Sequence, residues 1–206
     1  MNISSRLEKH FAVAAAAVAV AGAANAAIVV WNVNASVPAN SNGLYLNIAT
    51  QTTGTSAAAV AGWDINPYGG TDLRFFASGA SPNPTSTYVR TQASGGPSSL
   101  AVGFVIGGTS TFANSTTAVI SSAGVGANGW TLNSINYFGF RFNPGSTAGV
   151  VRYGYGVMQV GATASARTLL AVVYGDAGES VTVTAIPAPG AIALLGVAGL
   201  ASRRRR

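Results

Sequence analysis

The chain contains no cysteine, a single histidine and a single lysine, and only 8% of its 206 residues are charged. Without cysteine there is no disulfide framework and no thiolate to serve as nucleophile or metal ligand. His10 and Lys9 both fall in the first ten residues. A domain that begins after them has no imidazole, amine or thiol. That excludes Ser-His-Asp and Cys-His nucleophile systems, a Schiff-base lysine, and zinc or copper sites built from imidazole and thiolate. Acids are scarce too: beyond Glu8 there are only Asp64, Asp72, Asp176 and Glu179. Glycoside hydrolysis needs two carboxylates about 5 to 10 Å apart in one cleft, and nothing in the spacing pairs these four. A calcium ion held by Asp64 or Asp72 would lack the dense acid pattern of a dedicated calcium loop. The expectation is a non-enzymatic protein with no metal and no cofactor.

The formal charge of +6 suggests a nucleic-acid binder until its distribution is read. Arg6, Lys9 and Glu8 lie in the leader and Arg203, Arg204, Arg205 and Arg206 end the chain. Between them five arginines, Arg74, Arg90, Arg141, Arg152 and Arg167, face four acids. Phosphate-driven binding requires basic residues clustered on one face; the middle of the chain has no such run, so no nucleic-acid partner is expected.

What is present begins with a short basic leader to His10, an unbroken apolar run from Phe11 to Ala21, and Ala24-Asn25-Ala26 as a small-x-small site. That is the pattern of a secretory signal peptide, and it predicts cleavage by signal peptidase after Ala26. Residues 27–186 then form one domain. Its roughly 160 residues are enough to bury about 70% of their unfolded surface without covalent staples.

From Ala27 onward, short alternating apolar segments are separated by Gly, Asn, Ser, Thr and Pro, the mark of an all-β domain. Strands are predicted at Ile28–Val33, around Leu44, Leu46 and Ile48, at Ala61–Ile65, Leu73–Ala77 and Thr87–Thr91. Thr50–Ala59 reads as a polar loop, and Asn66-Pro67-Tyr68-Gly69-Gly70 as a turn. Leu100, Val102, Phe104 and Ile106 recur at period two and predict one buried face. Val119-Ile120 and Trp130-Thr131-Leu132 flank a glycine-rich loop. Asn136–Phe142 and Val150–Val160 each present a bulky face, Leu169–Tyr174 reads as a central strand covered on both sides, and Val181, Val183 and Ala185 alternate with threonines. The expected fold is a two-sheet antiparallel β-sandwich, jelly-roll-like, flanked by an N-terminal signal helix and a short C-terminal hydrophobic helix.

Two clusters stand out as candidate ligand sites. A hairpin that matches Phe142 with Val151, Phe140 with Tyr153 and Phe138 with Tyr155 gathers the bulky groups and sets Arg141 beside Arg152, with Tyr137 beyond them. Like charges directly opposite are unfavourable, so this register calls for an acid from a neighbouring strand, solvent separation or an anionic ligand. The second cluster is the Trp63-Asp64-Ile65-Asn66-Pro67-Tyr68 stretch. There Trp63 and Tyr68 offer rings for the apolar face of a sugar, while Asp64 and Asn66 offer hydrogen bonds to its hydroxyls. The alternative is that Trp63 and Tyr68 are core and turn residues. Gly124-Val125-Gly126-Ala127-Asn128-Gly129 matches G-x-G-x-x-G but no βαβ unit surrounds it, so it reads as a loop. Asp176-Ala177-Gly178-Glu179 reads as a hairpin turn, and the sequons at Asn34 and Asn114 are short enough to arise by chance.

The end of the chain carries Pro187-Ala188-Pro189-Gly190, an apolar stretch from Ala191 to Leu200, then Ala201-Ser202 and the four arginines. Ten apolar residues are well short of the roughly 20 of a comfortable spanning helix, and the arginines after them would stay on the cytoplasmic side. Membrane contact through residues 191–202 is thus expected to be temporary. These three parts together resemble the PEP-CTERM sorting signal of bacterial exported proteins, with Ala188 where glutamate is usual. The resemblance implies an exosortase-type processing enzyme as partner, with Pro187, Pro189, Gly190 and the arginines as the sorting residues. It also implies export to the cell surface or extracellular polysaccharide. The middle domain is similar to the uncharacterised β-sandwich domains of such proteins, above all at Tyr137-Phe138-Gly139-Phe140-Arg141-Phe142 and Arg152-Tyr153-Gly154-Tyr155-Gly156. A structural or adhesive surface or biofilm-matrix protein is therefore expected first, a lectin-like module using either cluster second, and a hydrolase last.

Overall fold

The computed structural model describes residues 27–78, 83–84, 86–92, 95–121, 128–145 and 150–185. The expected signal peptide, the expected sorting segment 187–206, the helices expected in both and most of the 124–129 glycine motif lie outside the described residues. Those described are all-β and paired antiparallel throughout, apart from one 3-10 turn at Ala57–Ala59 capped by the Ser56 hydroxyl. In chain order the strands are β1 (Val29–Ser36), β2 (Tyr45–Asn47), β3 (Thr52–Gly54), β4 (Ile65–Tyr68), β5 (Arg74–Ala77) and β6 (Tyr88–Val89). They continue as β7 (Val105–Ile106), β8 (Phe112–Ala113), β9 (Ser134–Phe142), β10 (Arg152–Val160), β11 (Arg167–Ala177) and β12 (Val181–Thr182).

The long strands β9, β10 and β11 form a meander at the centre of a six-stranded sheet ordered β1-β11-β10-β9-β6-β8. One face carries Phe138, Phe140, Phe142, Met158 and Val172, which share a core with Leu46, Ile65 and Phe75 from a four-stranded sheet ordered β3-β2-β4-β5. Each such side chain removed from water contributes roughly 1.5–3 kcal/mol. The other face carries Val89, Tyr155, Val157, Ala171 and Val173, and is covered by Leu100 and by the β7/β12 ribbon through Ile106, Val181 and Val183. The central sheet is thus buried on both sides, as expected for β11, and the layering includes a third, short ribbon that alternation did not reveal.

That double burial decides the β9/β10 register, which differs by one residue from the expected one. Arg152 pairs with Phe142, Tyr153 with Arg141, Gly154 with Phe140 and Gly156 with Phe138. Bulky residues oppose glycines rather than each other. A Cβ at Gly156 would lie 2.2 Å from Phe138 Cζ, and one at Gly154 2.8 Å from Phe140 Cζ. The rings fold over bare backbone while Tyr155 and Val157 fill the second core, so neither strand turns a bulky face to solvent.

Three shorter segments also depart from expectation. The Thr50–Ala59 loop contains β3, whose β-branched Thr52 and Thr53 pair with Asn47 and Leu46. Strand β4 runs through Asn66-Pro67-Tyr68 instead of turning there; Pro67 accepts the Leu44 N–H at 3.0 Å, so its missing donor falls on the side of short β2. The run from Leu100 to Ile106 is broken at Gly103, whose φ of +92° turns the chain and leaves Val102 57% exposed.

Candidate functional site

The register places Arg141 and Arg152 on opposite faces of the central sheet, so the expected arginine pair does not form. Arg141 donates Nε to Ser86 O at 2.7 Å and lays its guanidinium 4.5 Å from the Phe112 ring centroid, while Phe112 stacks on Tyr153 at 5.9 Å. Tyr137 meets Tyr155 edge to face at 6.2 Å. Arg152 lies 3.9 Å from Asp176 and 6.0 Å from the Tyr174 ring centroid on the other side. These residues are packing groups of two different cores and do not converge on a site.

The Trp63 stretch divides in a different way. Asp64 and Asn66 are buried and face protein. Asp64 Oδ2 accepts the Ile48 N–H at 2.7 Å. Burial pushes its carboxyl up to about 6, against the lowering effect of that hydrogen bond and of Asn83. Asn66 donates Nδ2 to Asn42 O at 2.8 Å. Both polar groups satisfy backbone from a distant loop and are withdrawn from any ligand. Tyr68 is half-buried on β4 and pairs with Arg74, whose Nε donates to Asp72 at 2.6 Å.

Trp63 itself is half-buried and meets Tyr45 edge to face, centroids 5.0 Å apart and planes at 81°. Its other neighbour is Phe76, 5.8 Å away at 38°, and Phe76 is 48% exposed. Strand pleating explains the cluster. Leu44, Leu46 and Phe75 point into the core, so Tyr45 and Phe76, one residue out of phase, point outward, and Trp63 enters beside them from the start of β4. Sequence reasoning missed Tyr45 and Phe76 as partners of Trp63. The signal was there in the alternation Leu44-Tyr45-Leu46 and in the Phe75-Phe76 doublet, of which only one ring fits inside.

Beside this cluster a groove of about 270 Å³ runs between β5 and the segment after β8, lined by Phe75, Phe76, Ala77, Asn114, Ser115 and Thr116. Arg74 donates to Thr116 O at 3.0 Å, Asn114 Oδ1 accepts the Thr87 N–H at 2.8 Å, and Tyr88 donates to Phe76 O at 2.6 Å. Phe76 belongs to both groove and cluster, making one continuous surface.

Asp176, Glu179 and Arg167 lie away from this surface. Asp176 and Glu179 bracket the β11–β12 turn as expected, closed by the Glu179 N–H to Asp176 O at 3.1 Å. Arg167 is buried and donates to four carbonyls, those of Pro38, Gly69, Asp72 and Ala164. Burial lowers its guanidinium to about 10, still protonated at neutral pH. Since Arg167 belongs to β11 and Gly69 and Asp72 to the β4–β5 connection, it ties the central sheet to the four-stranded one. No protein family, curated protein or solved structure matches the chain.

Proposed function

We propose that the chain is an exported cell-surface or biofilm-matrix protein, a β-sandwich of the two larger sheets, that adheres to extracellular polysaccharide through the outer face of its four-stranded sheet. Export and sorting rest on the leader with Ala24 and Ala26 and on residues 187–206, handled by signal peptidase and an exosortase-type enzyme. The adhesive role rests on one observation: the Tyr45, Trp63 and Phe76 rings cluster on a surface where Phe76 is 48% exposed. Aromatic rings left in water at the cost of burial are the residues from which binding surfaces are built. Of the four residues expected to grip a sugar at this loop, Trp63 keeps that role, and Tyr45 and Phe76 take over from Asp64, Asn66 and Tyr68. The role is binding without turnover. Asp64 is buried against Ile48, Asp72 is held by Arg74, and Asp176 faces Arg152.

Affinity electrophoresis of the wild-type protein and Trp63→Ala in gels containing the purified matrix polysaccharide tests this reading. Retardation of the wild type that Trp63→Ala loses supports it; equal mobility of the two, or no retardation of either, overturns it.

A further inference from the structure

Resting on that carbohydrate reading, we infer that the site takes a single, non-crystalline chain of a neutral polysaccharide, with one sugar residue seated in the groove beside β5. The next stretch of the chain then crosses Phe76 toward Trp63 and Tyr45.

Ring geometry sets the form of the ligand. A crystalline polysaccharide presents a flat face, which a row of coplanar, spaced rings would match. Here the planes of Tyr45 and Trp63 stand at 81° and those of Trp63 and Phe76 at 38°, with centroids only 5.0 and 5.8 Å apart. The cluster is too compact and too angular to lie flat on a crystal, and it suits a chain free to bend.

Groove size sets the portion held. About 270 Å³ falls below the roughly 300–1,000 Å³ of pockets that enclose drug-sized ligands. It has room for one sugar ring and not for an enclosed oligosaccharide, so the chain must continue out over Phe76. The apolar wall is the exposed ring of Phe76, since Phe75 and Ala77 turn their side chains into the core, and Ser115 and Thr116 bring hydroxyl groups to the opposite wall.

Charge sets the class. Arg74 at the end of the groove is matched by Asp72 at 2.6 Å, and Asp64 turns inward to the Ile48 N–H. No uncompensated charge of either sign lines the groove among its six residues, so a uronate or sulfate has no counter-ion there and would lose hydration without return.

The experiment uses the full chain in affinity gels containing soluble neutral polymers (hydroxyethylcellulose, dextran and galactomannan) or polygalacturonate, with sedimentation on microcrystalline cellulose alongside. The expected result is retardation by at least one neutral polymer, none by polygalacturonate and no depletion by the crystalline solid. Thr116→Gln, which narrows the groove from an exposed position, is expected to weaken binding at least tenfold with the melting temperature unchanged. Trp63-dependent binding only to polygalacturonate, depletion by microcrystalline cellulose, or full affinity in Thr116→Gln overturns the inference and leaves the adhesive reading standing. Failure of the wild type to bind any of these polymers overturns the inference, and failure on the matrix polysaccharide as well, or identical binding by Trp63→Ala, overturns both.

Discussion

Gly156 on β10 lies directly across from Phe138 on β9, and the phenyl ring fills the space that a side chain at 156 would need: a Cβ there would come within 2.2 Å of Phe138 Cζ. Phe138 cannot yield, because it is fully buried among Phe75, Trp130 and Phe140. Gly156→Ala is therefore expected to lower stability by about 1–3 kcal/mol through overpacking, read as a shifted urea midpoint. Adding Phe138→Leu should recover part of the loss. A Gly156→Ala protein as stable as wild type would mean that the strands pair in another register.

Arg167 offers a second test of how the layers are joined. Arg167→Met leaves the carbonyls of Pro38, Gly69, Asp72 and Ala164 without their shared donor. A buried acceptor left without its donor costs about 1–3 kcal/mol, and thermal unfolding should show the loss. Arg167→Lys, with a compact ammonium in place of the planar fork, is expected to recover only a fraction.

Asp64 predicts a pH dependence of definite sign. Its carboxyl is raised by burial from 3.8 to about 6 in the folded protein, so between those values the folded state binds more protons than the unfolded one. The stability this group contributes is full below pH 3.8 and is lost as pH rises through about 6. Asp64→Asn keeps an acceptor for the Ile48 N–H and removes the buried charge. It should stabilise the protein by on the order of 1 kcal/mol or more at pH 7.5, with the gain shrinking toward pH 4.5. A gain equal at both values would contradict the assignment.

The sorting proposal predicts two truncations. Intact mass of the protein recovered from the cell surface should show a chain starting at Ala27 and lacking the Arg203–Arg206 end. A species that still ends at Arg206 would contradict processing of the tail.

Strand positions were legible in the apolar alternation at Leu44, Leu46 and Ile48 and at Phe138, Phe140 and Phe142, all six of them buried. The same alternation from Leu100 to Ile106 is interrupted by the turn at Gly103. The register was not legible, because the rule that bulky groups gather on one face holds only for a sheet with one covered face. Here β10 fills two cores, and the pairing of Phe138 with Gly156 is a property of two strands that neither sequence shows alone. The candidate site was half legible. Trp63 stood out as a ring on an expected turn and does lie in the Tyr45–Trp63–Phe76 cluster, whereas Asp64 and Asn66 looked available because nothing local uses them. Their partners, Ile48 and Asn42, lie 16 and 24 residues away. Arg141 misled for the same reason, since Phe112 and Ser86 reach it from separate strands and loops.

The most direct test of the adhesive face compares Trp63→Ala with Arg141→Ser for both affinity to matrix polysaccharide and melting temperature. Trp63→Ala is expected to lose at least tenfold in affinity while melting within a few degrees of wild type. Arg141→Ser, which removes the Phe112 contact and the Ser86 hydrogen bond, should melt several degrees lower and keep its affinity. The reverse outcome, binding abolished by Arg141→Ser and untouched by Trp63→Ala, would place the ligand on the central sheet and contradict the account.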